Sequence, residues 1–102
     1  MATPEEAPVV ACTLSAGDLA AQAARWLRLR GSAQRSRVET GNGLRVTFDD
    51  TPDVETELEA LVAVERECCK WASWDISREG GELVMEATST AAGVQALHGM
   101  FR

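Results

Sequence analysis

The stretch RSRVETGNGLRVTFDDTPDVETELEALV, residues 35–62, decides the fold. Its centre, Gly41-Asn42-Gly43, is a tight-turn signal between two arms, Arg35 to Thr40 and Leu44 to Asp49. In the second arm Leu44, Val46 and Phe48 alternate with Arg45 and Thr47, so one face of the hairpin is buried and the other meets water. Thr51-Pro52-Asp53 then opens a helix, with a hydroxyl cap, a proline in the first turn and acid beside the positive dipole end. Val54, Leu58, Leu61 and Val62 recur at helical period and form its buried stripe.

Upstream, Val9 to Leu14 predicts a first strand with Val10, Cys12 and Leu14 on one face. Ser15 is placed as a helix N-cap with Asp18 in the capping-box position, and Leu14 and Leu19 are spaced as a hydrophobic staple. Leu19, Ala23, Trp26 and Leu27 make that helix's apolar stripe, and Gly31 is its natural stop. Downstream, Trp74 and Ile76 alternate in a short strand, Gly80-Gly81 turn it back, and Leu83, Met85 and Ala87 return. Ser89 or Thr90 caps a final short helix carrying Val94, Leu97 and Phe101, which Gly93 and Gly99 weaken. The order β-α-β-β-α-β-β-α predicts an α+β fold, a mainly antiparallel sheet with helices packed on one face. Its first six elements follow a ferredoxin-like order.

The 102 residues suffice for one domain, read as residues 9–102 behind a flexible acidic tail, Met1 to Pro8. A net charge of -6 argues against a nucleic-acid surface, which needs a basic footprint. Arg25, Arg28, Arg30, Arg35 and Arg37 cluster along the chain, and such runs are usually a solvated face. No stretch has the apolar length of a membrane span, and no signal peptide opens the chain. Three cysteines cannot all pair internally, so a cytoplasmic protein with reduced thiols is expected.

Chemistry concentrates in Glu65-Arg66-Glu67-Cys68-Cys69. Cysteine is often simply packed, and Cys12 and Cys68 both continue apolar patterns. Two features oppose that reading. Glu65 shares the stripe of Leu58, Leu61 and Cys68, where a buried carboxylate needs a partner, an arginine for instance, unless it sits at the stripe's edge. Adjacent helical residues point about 100° apart, so Cys68 and Cys69 cannot both be ordinary core positions unless the helix end is buried nearly all round. A pocket formed by Cys12, Cys68 and Cys69, with Glu65 as fourth ligand or proton acceptor, satisfies both. Such sulfur-rich donors select mercury(II), copper(I), arsenic(III) or zinc. Trp71 and Trp74 are expected to pack the helix-to-strand corner, and the sole histidine, His98, is expected on the surface rather than at a metal.

Ala11-Cys12-Thr13-Leu14, followed by Glu65-x-x-Cys68-Cys69-x-aromatic with Trp71 and Trp74, resembles a family of small bacterial proteins. These domains occur alone or joined to MerR-like heavy-metal-responsive regulators. The resemblance spans Val9 to Phe101 and rests on two short motifs. It implies that Cys12, Cys68 and Cys69 hold or sense metal, with Glu65 beside them, and that a MerR-like regulator is a partner. This chain departs from the family in carrying Lys70 and Trp71 where proline and phenylalanine usually follow the cysteine pair.

Soft-metal binding for resistance, sequestration or sensing is the leading expectation. An enzyme is the rival: two thiolates and a carboxylate could cleave a carbon–mercury bond or exchange disulfides. A third reading is an interaction module with core cysteines, with a homodimer through a sheet edge as one form.

Overall fold

The computed structural model describes residues 14–101. The expected tail and, apart from Leu14, the expected first strand lie outside the described residues, and Cys12 with them. Seven elements follow: α1 (Ala16–Ala33), β1 (Gln34–Thr40), β2 (Gly43–Asp49), α2 (Pro52–Cys68), β3 (Ser73–Glu79), β4 (Glu82–Thr88) and α3 (Ala92–Met100). The four strands form one sheet in the order β1-β2-β4-β3, antiparallel throughout. This is the expected α+β class, and it fits a ferredoxin-like arrangement. β4 takes the interior place beside β2.

Register explains which side is buried. Leu44 faces Ala87, Val46 faces Met85 and Phe48 faces Leu83, and these residues lie against the helices. Trp26 and Leu29 from α1, Leu58 and Leu61 from α2, and Leu97 from α3 complete a single core. On the opposite face Arg45 meets Glu79 and Glu86, while Arg35 meets Asp49 and Glu82. Gly43 lies where β2 and β4 approach: a Cβ there would sit 1.9 Å from the Ala87 carbonyl oxygen. Gly80 and Gly81 turn β3 into β4 with φ of 58° and 82°, which glycine adopts without steric cost.

α1 and α2 run antiparallel. Arg25 pairs with Glu57 near the start of α2, whereas Gln22, one turn earlier in α1, reaches Leu61 and Glu65 further along. The start of α1 therefore lies beside the end of α2. The Ser15 hydroxyl accepts from the Asp18 amide, and the Thr51 hydroxyl accepts from the Val54 amide, so both expected caps form.

Three local expectations are corrected. Gly31 does not stop α1, which runs to buried Ala33 and ends where the Gln34 amide bonds the Arg30 carbonyl. The buried face of α1 is Gln22, Trp26, Leu29 and Ala33, whereas Leu19 and Leu27 of the expected stripe are 46% and 64% exposed. α3 has no side-chain cap; Ala91, at φ 48°, precedes it, and the Ser89 hydroxyl donates to the Trp71 carbonyl at 2.6 Å. At its other end, Arg30 and Arg37 donate to the Phe101 carbonyl, and Arg37 also reaches that of His98. Burial, then the Arg37 charge, holds the Arg30 guanidinium below its ordinary pKa.

Candidate metal centre

α2 delivers Glu65 and Cys68 from its last two turns, and its termination delivers Cys69. Cys68 is the last helical residue, while Cys69 has φ -120° and ψ 64°. The pair therefore straddles the helix end rather than sitting within a regular turn. The two sulfurs lie 3.9 Å apart, far beyond the roughly 2.05 Å of a disulfide. The Cys69 amide still closes the last helical bond, to the Glu65 carbonyl at 2.7 Å, and past it Trp74 Nε1 donates to the Cys69 carbonyl at 3.3 Å. Trp74 is thus part of the corner, as expected, and its polar end sets the backbone that carries the second thiol.

Glu65 is 3% exposed, which rules out a place at the stripe's edge. Among the described residues its hydrogen-bond partners are not arginine. Gln22 Nε2 donates to Oε2 at 2.9 Å, Trp26 Nε1 donates to the same oxygen at 2.8 Å, and Cys69 Sγ donates to Oε1 at 3.2 Å. Gln22 Nε2 also donates to the Leu61 carbonyl at 3.1 Å, which locks its amide. Uncharged donors thus occupy both carboxyl oxygens. A cation entering here meets an acidic group already held in place.

The ligand atoms of Glu65, Cys68 and Cys69 all lie within 4.8 Å of one another, and the three residues are buried. This group could hold a metal ion. With metal–sulfur bonds near 2.3 Å, trigonal or tetrahedral angles place two sulfurs about 3.8–4.0 Å apart, whereas linear coordination needs about 4.6 Å. The observed 3.9 Å suits a centre with three or four ligands.

Beside the centre, a cavity of about 440 Å³ opens between α1 and α3. Leu19, Ala23, Leu27, Trp71, Met100 and Phe101 line it, Gln22 and Arg30 add polar groups, and the buried Glu65 and Cys69 belong to the same wall. Cys68 does not line it. Trp71 Nε1 is buried without a hydrogen-bond partner among the described residues.

Two sequence expectations about the site change here. His98 is not a surface residue: its side chain is 17% exposed, Nε2 lies 2.7 Å from the Gly43 carbonyl oxygen, and Nδ1 lies 3.6 Å from Glu39. Gln22 was not anticipated, although a polar residue four before Trp26 and seven before Leu29 is the signal that marks it. Cys12 cannot be placed within the described residues. Leu14, two positions later, packs against the core at the end of α1 that faces the cysteines. Comparison with protein families, curated proteins and solved structures finds no match for this chain.

Proposed function

We propose that this protein is a soft-metal binding domain for resistance, sequestration or sensing in the cytoplasm. Cys68 and Cys69 supply thiolates and Glu65 a carboxylate oxygen or a proton acceptor. One observation carries the reading: two sulfurs 3.9 Å apart beside a buried carboxyl group that neutral donors hold. Such donors favour mercury(II), copper(I), arsenic(III) or zinc over hard cations. Cys12 is the proposed third sulfur, since α1 starts beside the end of α2. By the resemblance of its motifs, a MerR-like regulator is the proposed partner.

Titrating the reduced protein with mercury(II) tests this. The expected result is a saturable thiolate-to-metal charge-transfer band at one ion per chain, absent in Cys68→Ser/Cys69→Ser. A featureless titration, or the same band in the double variant, overturns the proposal.

The second reading is a thiol enzyme, favoured by the hydrogen bond from Cys69 Sγ to Glu65 Oε1, the arrangement of a nucleophile with its base. Turnover of a disulfide or an organomercurial, abolished in Glu65→Gln, would establish it.

A further inference from the structure

We infer that this centre receives its metal with an organic group attached, as a cation R–M⁺ whose apolar R sits in the cavity between α1 and α3. The inference rests on the metal-binding reading and adds the class of ligand.

The cavity and the centre share Cys69 and Glu65, while Cys68 stands outside the cavity wall. A metal held on Cys69 Sγ therefore has one side turned to the cavity and the other to the second thiol. A bare ion uses none of the 440 Å³ available. That volume is typical of small-molecule pockets, and a cavity of about 150 Å³ already takes benzene. The wall is the right chemistry for a hydrocarbon group. Leu19, Ala23, Leu27, Met100 and Phe101 are apolar, and Leu19, Leu27 and Met100 remain 46%, 64% and 40% exposed without R in place. Covering them removes apolar surface from water. The indole ring of Trp71 closes the same space near the thiol.

Capture needs no change of oxidation state. The M–X bond of R–M–X breaks, an M–S bond to Cys69 forms, X⁻ leaves, and the thiol proton passes across 3.2 Å to Glu65 Oε1. R remains bonded to the metal. Glu65 then returns the proton to water, or to X⁻ as it departs.

Phenylmercuric acetate, methylmercury chloride and mercury(II) chloride are the probes, each competed against excess glutathione so that solvent-exposed thiols do not register. Intrinsic mercury–thiol strength is removed by referring each affinity to glutathione. The wild-type protein is expected to favour phenylmercury over methylmercury by at least tenfold. Ala96→Phe, which fills the cavity from α3, should abolish that preference and leave mercury(II) affinity within about twofold. Gly99→Leu fills the same space from a position with nothing within 4 Å of a new Cβ, and serves if Ala96→Phe lowers the melting temperature. Equal relative affinity for the phenyl and methyl compounds in the wild type overturns the inference. So does a preference that survives cavity filling in a folded variant. If mercury(II) itself fails to compete with glutathione at Cys68 and Cys69, the metal-binding reading has failed, and the inference falls with it.

Discussion

Trp26 Nε1 donates to Glu65 Oε2 at 2.8 Å, from a helix that runs antiparallel to the one carrying the carboxyl group. An indole that otherwise packs edge-on to Phe101, with ring centroids 4.9 Å apart, thus turns its one polar atom to the buried Glu65 carboxyl group. Core packing and ligand orientation are joined in a single side chain.

Trp26→Phe keeps much of the packing and removes the donor. Losing this hydrogen bond, with Gln22 still donating to the same oxygen, should cost about 0.5–1.5 kcal/mol, read by urea unfolding. In a Glu65→Leu background the same change should cost much less, because no acceptor is left to disappoint. Additive losses in the double variant would show that the bond does not couple the two helices.

Cys12 is expected to join the centre. The chain has three cysteines, so full metal loading should leave no thiol reactive toward a disulfide reagent. One reactive thiol per loaded chain, with unchanged affinity in Cys12→Ser, would restrict the donor set to Cys68, Cys69 and Glu65.

The Arg25–Glu57 pair sets a small acid dependence. The guanidinium hydrogen bond holds the Glu57 carboxyl below the usual carboxylate range, against a smaller opposing effect of burial. A carboxyl with a depressed folded-state pKa contributes stability above its unfolded value, about 4.3, and the contribution fades as pH falls through the folded value. Both side chains are 36% exposed, so the pair should contribute about 0.2–1 kcal/mol. Glu57→Gln should therefore be slightly less stable than wild type at pH 7 and indistinguishable from it near pH 2. An equal gap at both values would remove the ion pair as the cause.

Gly43→Ala should be the most damaging small substitution in the sheet. The new Cβ would lie 1.9 Å from the Ala87 carbonyl oxygen, and overpacking of this kind costs about 1–3 kcal/mol. Gly41→Ala, with nothing within 4 Å, is the control and should change stability by less than about 0.5 kcal/mol. Equal melting temperatures for the two variants would mean that β2 and β4 do not approach as described.

The fold was legible wherever a local signal coincided with a periodic one. Gly41-Asn42-Gly43 before an alternating second arm gave β1 and β2, and Thr51-Pro52 before Leu58 and Leu61 gave α2. Where sequence pattern was ambiguous, tertiary packing decided. Of the stripe Leu19, Ala23, Trp26 and Leu27 only Trp26 is buried: α1 turns Gln22, Trp26 and Leu29 inward, where Glu65 offers the amide and the indole an acceptor. Gly31 resembles a stop, but Ala33 still has core to fill. At the site, Glu65, Cys68 and Cys69 could be grouped from spacing along one helix. Their closeness could not, because it depends on the non-helical backbone at Cys69 and on the long-range bonds from α1.

The two sulfurs stand on either side of a boundary, one on the last helical residue and one on the first residue beyond it. Helix ends are where backbone opens first, with free energies well below that of global unfolding. Any ligand bridging the pair consequently acts as a latch on the final turn of α2. Its grip would register as slowed amide exchange at residues 66–69, a kinetic trace of occupancy that needs neither colour nor turnover.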